Sequence, residues 1–448
     1  MNEFTYPDAA IVAGDECVFL RRLARALYGS GQNVGYGHNS CGSIFAEEYS
    51  RTVDSTTKTA EFIAKGEHLV ASFGAENVGP TLLVFGGIHG NESAGVRAVR
   101  RVAEKIKDSD LRLCGRVFLF AGNTRALRKG VRFVDSDLNR HWADANVTRN
   151  APDSQLPPQF SEDREQRELL EVLLPVIESA RGEVYALDLH STSAEGVPFA
   201  TVGDTMRNRR FATRLPVTIL LGIEEQLEGT LLEYLNNIGA VTMGFEGGQH
   251  YAESTVSTHE SLVWLAMERA GIIAWKDLPD ADYHAQVVKN ATGAPEILEV
   301  RYRHAITEED GFTMHPGYEN FQRIRKNEHL ADDRSGLVRA REEGLILMPL
   351  YQKLGEDGFF IGRRIRPFWL WLSALLRRMR IADLMHFLPG VHPTERGREV
   401  LRVDTAVARF FPLQVFHLLG FRKLRWTGES LMVSRRKHDI ESPFKEKA

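Results

Sequence analysis

Apolar runs alternate with amphipathic stretches along the first two-thirds of the chain. Residues 15–28 have helical periodicity and Gly29 is a suitable stop. Residues 30–50 are rich in Gly, Asn and Ser and read as irregular. Two strand-like runs follow, EFIAKGEHLVASFG (61–74) and TLLVFGGIHG (81–90). The second is continuously apolar until its glycines, as expected of a strand buried on both faces of a sheet. An amphipathic helix (ESAGVRAVRRVAEKI, 92–106) leads to a second buried strand (RVFLFAGN, 116–123). A polar, Pro-containing stretch at 141–160 reads as a surface loop. A helix over 161–180 precedes a third buried strand (EVYALDLH, 183–190), and shorter strands and helices run to about residue 285. This alternation predicts an α/β sandwich with a parallel or mixed central sheet.

The pattern changes near residue 290. Between 291 and 362 short β-like runs (EILEVRYRHAI, GLILMPLY, GFFIG) are separated by glycines and charged turns, which predicts a small β-rich domain. Beyond Arg363 the chain is basic, aromatic-rich and helical in character. The boundaries expected are therefore 1–57 for an N-terminal helical and irregular segment, 58–288 for the α/β unit, 289–362 for the β-rich unit and 363–448 for the appendage.

At 448 residues the chain exceeds the ~150 typical of one domain. Charge distribution separates the appendage from the rest: residues 363–448 carry eighteen Lys and Arg against eight Asp and Glu, whereas the whole chain has a net charge of −4. That excess lacks any nucleic-acid-binding motif, so no nucleic-acid partner is expected. Two apolar-aromatic stretches in it, PFWLWLSALL and ARFFPLQVFHLLGF, are bordered by arginines. They fit either packing on the α/β body or on a second copy of the chain, or peripheral contact with a membrane surface. Neither approaches the ~20 residues of a membrane span. Three widely spaced cysteines (Cys17, Cys41, Cys114) and an acidic N-terminus without an apolar core predict a cytoplasmic protein.

Candidate chemistry gathers at the strand ends, where loops of an open α/β sheet diverge and leave a crevice. Gly86-Gly87-Ile88-His89-Gly90-Asn91-Glu92 follows one buried strand, and its His-x-x-Glu pair offers an imidazole and a carboxylate within one turn of chain. The bare pair equally fits a helix-capping acid beside a surface histidine. A second buried strand ends in His190, and two imidazoles with one carboxylate are a donor set typical of catalytic zinc. Asp188, two residues earlier, points to the same side and either orients that imidazole or serves as a buried acceptor. Asn139 and Arg140 supply planar donors suited to a carboxylate, and Arg132 can reach the same pocket to stabilise an oxyanion or form a surface salt bridge. Glu246, among the glycines of GFEGGQH, fits a proton-transferring carboxylate or an ordinary loop acid. His250 either lines the pocket or holds a loop, and His141 and His315 read as structural or exposed.

HGNE, DLNR, DLHST and FEGGQH, in this order, resemble the succinylglutamate desuccinylase/aspartoacylase family, a branch of the zinc carboxypeptidase-like hydrolases. The resemblance runs from about residue 58 to 362. It implies a zinc-carboxypeptidase-like α/β/α sandwich with a mixed central sheet, one zinc ion on His89, Glu92 and His190, and a substrate carboxylate on Asn139 and Arg140. It further implies Arg132 at the scissile carbonyl, Glu246 as general base and acid, and a β-rich domain that narrows the site to a small N-acylated substrate. The function implied is hydrolysis of an amide in an N-acyl amino acid or related acylated amine. The alternatives are a metallocarboxypeptidase acting on peptides and a binding member of the fold without chemistry; a homo-oligomer is compatible with each. The sequence departs from the family where a substrate-binding tyrosine is expected: Phe359 and Phe360 stand there, with Tyr351 nearby.

Overall fold

In the computed structural model, residues 68–444 are described except for 194–195, 294–295, 352–354, 395–396, 405–412 and 427–429. The predicted helix at 15–28, the stretch 30–50 and the start of the first strand-like run lie outside the described residues.

Eighteen strands are described. The first eight are β1 Leu69–Phe73, β2 Thr81–Gly86, β3 Arg116–Ala121, β4 Val184–Thr192, β5 Phe199–Val202, β6 Thr218–Leu221, β7 Val241–Gln249 and β8 Ile297–Ala305. Next come β9 Thr313–Met314, β10 Arg323–Ile324, β11 His329–Asp333, β12 Gly336–Arg339, β13 Gly344–Leu347 and β14 Asp357–Arg364. The last four are β15 Val391–Thr394, β16 Gly397–Asp404, β17 Phe421–Trp426 and β18 Ser430–Arg435. Eleven of them form one sheet in the order β1-β3-β2-β4-β7-β5-β6-β8-β14-β13-β10. Its centre (β3, β2, β4, β7) is parallel, and β5 runs antiparallel to β7. The sheet is thus mixed, and every residue of β2 and β3 is buried.

Burial on both faces explains those uninterrupted apolar runs. Leu82 and Val84 of β2 pack with Val99 and Val102 of helix Ser93–Lys107 and with Leu262 and Trp264 of helix Glu253–Arg269. The alternate residues Leu83 and Phe85 face Leu169, Leu170 and Leu173 of helix Ser161–Glu178. Helices cover both faces, giving the α/β/α sandwich expected. Each fully buried Leu or Phe contributes about 1.5–3 kcal/mol relative to an exposed one, so the two cores hold the strand ends in fixed register.

Three local features differ from the sequence-based expectation. Within the predicted loop at 141–160, Asp144–Arg149 is helical. It buries none of its residues, so no apolar period announces it. The 289–362 stretch is β-rich, but β8, β14, β13 and β10 extend the central sheet, leaving only β9, β11 and β12 as a separate one. Beyond 363 the chain is helical at Pro367–Arg378 and Leu413–Leu418, and β15–β18 form a four-stranded antiparallel sheet. Phe368, Trp369 and Trp371 remain exposed on the first of these helices. Among the described residues no helix is long and apolar enough to cross a membrane.

Candidate active site

The parallel centre of the sheet delivers the predicted residues to one end. β2 stops at Gly86, where a Cβ would lie 2.5 Å from the backbone of Gly95, so the helix start can approach the strand only because no side chain intervenes. Gly87 follows at φ +73°, a left-handed conformation that lets the chain turn towards His89. Glu92 ends this turn at the start of helix Ser93–Lys107. His190 lies on the neighbouring β4, opposite Glu246 of β7 in the strand register.

Glu92 stands between the two imidazoles. His89 Nδ1 is 2.9 Å from its Oε1 and His190 Nδ1 is 3.3 Å from its Oε2, while Ser191 N–H donates to Oε2 at 2.8 Å. The far nitrogen of each ring meets another carboxylate: His89 Nε2 faces Asp137 at 3.1 Å and His190 Nε2 faces Asp188 at 2.8 Å. One donor atom from each of His89, Glu92 and His190 lies within 4.8 Å of the others, and all three residues are deeply set. Glu92 is held well below the ordinary carboxylate range: burial alone would raise it, but the two imidazoles outweigh that penalty. Burial likewise disfavours the His190 cation, yet Asp188 and Glu92 hold its pKa well above the usual histidine value.

This arrangement fits a zinc ion. Two nitrogens and a carboxylate converge, and each imidazole is oriented from behind by an acid, the pattern that fixes tautomer and ring direction around metals.

Arg132 donates to Asp137 Oδ2 from Nε and Nη2, at 3.3 and 3.1 Å, and its Nη1 lies 3.7 Å from Glu92. Burial works against its charge, but Asp137 and Glu92 raise its pKa above the usual arginine value. The loop carrying it is pinned by a buried acid: Glu162 accepts backbone N–H bonds from Val134, Asp135 and Ser136 at 2.7–3.2 Å and one from Asn123 Nδ2 at 3.0 Å. Glu246 Oε2 is buried without a hydrogen-bond partner among the described residues, and burial pushes the carboxyl up to about 8. Gly247 beside it leaves room for His259, whose ring a Cβ would approach to 2.2 Å.

His89, Glu92, Arg132, Asp188, His190 and Glu246 line a cavity of about 550 Å³. Asn139 and Arg140 line it too. Asn139 Oδ1 accepts from Leu231 N at 3.0 Å, and the Arg140 guanidinium faces Glu356 and Asp357 at 3.6 and 3.5 Å. Phe360 is on the wall, whereas Phe359 is wholly buried in the β-rich core. Tyr351 lies away from the cavity lining, its hydroxyl 3.0 Å from the carbonyl oxygens of His315 and Tyr318. His250 lines the cavity, with Nδ1 2.8 Å from Ser191 Oγ. His141 holds the Asp137 turn, its Nδ1 3.1 Å from Asp137 O.

Sequence reasoning missed several contributors. Asp137, two residues before Asn139, orients His89 and caps the following turn through Asn139 N; its place inside SDLNR, at an N-cap position, was the available signal. Glu162 and the appendage residues Glu399, Arg422 and Arg436, which line the cavity, carried no local signal.

Residues 78–257 match the succinylglutamate desuccinylase/aspartoacylase catalytic domain. These residues form a domain of that family. The succinylglutamate desuccinylase of Pseudomonas paraeruginosa is 37% identical over 94 residues, which are 21% of this chain and 28% of that enzyme. The chain therefore matches less than a third of that relative's length. Among solved structures, a succinylglutamate desuccinylase from Vibrio parahaemolyticus superposes at TM-score 0.45 and 16% identity, over 65% of this chain and 83% of that one. Murine aminoacylase 3 superposes at TM-score 0.46 and 18% identity, over 64% and 96%. Within the desuccinylase/aspartoacylase domain fall His89, Glu92, Arg132, Asn139, Arg140, His190 and Glu246.

Proposed function

We propose that the chain hydrolyses the amide bond of a small N-acyl amino acid or related acylated amine, using one zinc ion held by His89, Glu92 and His190. The observation that carries this reading is the convergence of those three donors, backed by Asp137 and Asp188, in one cavity with the partnerless Glu246 oxygen. A zinc ion there supplies Lewis-acid polarisation and lowers the pKa of water brought to it towards ~7. Glu246 takes the proton of the attacking water as its oxygen bonds to the carbonyl carbon. Arg132 donates to the developing oxyanion. As the C–N bond breaks, Glu246 returns the proton to the departing nitrogen. Asn139 and Arg140 bind the substrate carboxylate, which competes with Glu356 and Asp357 for the guanidinium.

The hydrolase unit on this reading is 58–288, with 289–362 narrowing access and 363–448 completing the cavity wall. Phe360 in that wall presents no hydroxyl, which favours an acyl or amine group less polar than aspartate. The three widely spaced cysteines favour a reducing cytoplasm. The exposed Phe368, Trp369 and Trp371 suit peripheral contact with a membrane surface.

A mass-spectrometric panel of N-acyl amino acids and peptides, run with zinc-loaded protein, tests the activity. Free acid and amino acid should appear from the first group. Release of C-terminal residues from the peptides alone would make the chain a carboxypeptidase, and no release from either would make it a binding protein. Asp188→Asn should weaken zinc affinity about 10–100-fold, measured by chelator competition, because the amide cannot hold the His190 ring as the carboxylate does. Unchanged affinity would remove Asp188 from that role.

A further inference from the structure

A second group of metal-type donors lies away from the cavity just described. His315 Nε2 and His329 Nε2 each lie 2.8 Å from Asp332, one on Oδ2 and the other on Oδ1. The two ring centroids are 4.0 Å apart. A donor atom from each residue lies within 4.8 Å of the others. Tetrahedral zinc with Zn–N bonds of ~2.0–2.1 Å needs ligand atoms ~3.3 Å apart, so small side-chain rotations suffice.

The backbone prepares this convergence. β9 and β11 pair through Met314 and Ala331, and His315 N–H donates to Leu330 O at 3.0 Å, which sets His315 beside β11. The register of β11 against β12 shifts between His329 and Ala331, an irregularity that brings His329 and Asp332 together despite their odd separation along a strand. Tyr351 holds the His315 carbonyl, and Tyr318 Oη donates to Glu328 at 2.9 Å, so both approaches to the cluster are tied down.

Charge distinguishes this group from the other His-acid cluster outside the cavity. His68, Glu165 and Glu168 also come close, but Arg125 bonds both carboxylates at 2.7 Å and His68 Nδ1 faces two backbone carbonyls. Those donors are already consumed. Asp332 pairs only with the two imidazoles among the described residues, and their hydrogen bonds hold it below the usual carboxylate range. The three side chains are partly exposed, so a hydrated ion can reach them.

We propose that His315, His329 and Asp332 form a second site for a divalent transition cation of the zinc class. Binding replaces the imidazole Nε2 protons that otherwise bridge to Asp332, and water completes the coordination. The ion fastens residues 315–322 to β11. That segment reaches the cavity rim, because Asn320 Oδ1 accepts from the backbone N–H of Met348, itself a cavity-lining residue. The site is structural and independent of the hydrolytic reading.

The test uses the full chain carrying His89→Ala and His190→Ala, stripped with chelator and titrated with zinc by calorimetry, with Tm followed in parallel. One equivalent of zinc and a rise in Tm are expected. Adding His315→Ala and His329→Ala should abolish both. No uptake by the first variant, or uptake unchanged by the second pair of substitutions, overturns the proposal. The unsubstituted chain should take two equivalents, and Asp332→Asn in it should leave one. A single equivalent lost on His329→Ala but kept on His89→Ala would uphold this site and sink the catalytic one instead.

Discussion

Glu246→Gln is expected to lower kcat about 10²–10⁴-fold, the range that a positioned general acid–base supplies, while zinc content stays at the level of the unsubstituted chain. Glutamine has nearly the same shape and keeps the β4–β7 register in which residue 246 lies opposite His190. It cannot take the proton of the attacking water or return one to the departing nitrogen. KM should change little, since the proposed function places the substrate carboxylate on Asn139 and Arg140, on a separate turn. The buried Oε2 without a partner among the described residues, opposite His190 in the strand register, marks this acid: a purely structural glutamate would ordinarily have its oxygen satisfied. Glu246→Asp should retain part of the activity, because the carboxyl persists but withdraws by a methylene. Steady-state kinetics with metal analysis on the same preparation check these outcomes. Full turnover in Glu246→Gln would assign the proton transfers elsewhere.

The site was legible where strand and chemistry coincide. β2, β3 and β4 are buried on both faces, so they appear as continuous apolar runs whose ends can be read to within a few residues. His89 and His190 fall at or near such ends, so their positions alone mark them as candidates. Asp137 and Glu162 were harder. One orients an imidazole and the other pins a loop, and both act through contacts between segments separated in sequence by tens of residues. A single sequence contains no record of such pairing.

The strands of the appendage are hidden in the sequence for a different reason. In β18 only Leu431 and Val433 are buried, and Met432 between them is apolar as well, so the sequence shows a brief apolar run and no alternation. The basic, aromatic composition around it suggested helices. The small β-rich unit blurred into the main sheet because the patterns of β8, partly alternating, and β14, buried over Gly358–Gly362, are the same whether a strand continues a sheet or begins one. Register and adjacency decide that, and neither is a local property.

How the appendage is fastened leads to the second large effect. Arg377 is 2% exposed. Its guanidinium donates to the carboxylate and backbone oxygen of Asp204, to Asp439, and to the carbonyls of His417 and Leu418. One side chain thus ties the helix at 367–378 to the α/β body and to the chain end. Arg377→Leu strands the buried Asp204 with Arg209 as its direct ion-pair partner. Leaving a buried charge wholly unpaired costs about 3–5 kcal/mol; with Arg209 still on Asp204, part of that loss and a fall in the urea midpoint are expected. Arg377→Lys should fall between the two, because an ammonium keeps the charge but cannot fork to five acceptors.

The effect has a pH signature. Burial would raise Asp204, but Arg209 and Arg377 hold its carboxyl far below the ordinary value of 3.8. A depressed acid contributes stability above its unfolded pKa and loses it as pH falls through the folded one. The gap between the native and Arg377→Leu chains should therefore be full near neutrality and narrow below about pH 3.8. Because Glu399 and Arg422 of the same appendage line the cavity, a loosened appendage should also raise KM. A urea midpoint and KM both unmoved by Arg377→Leu would mean that the appendage is held by its other contacts, among them the Arg422–Glu233 and Arg436–Glu225 pairs.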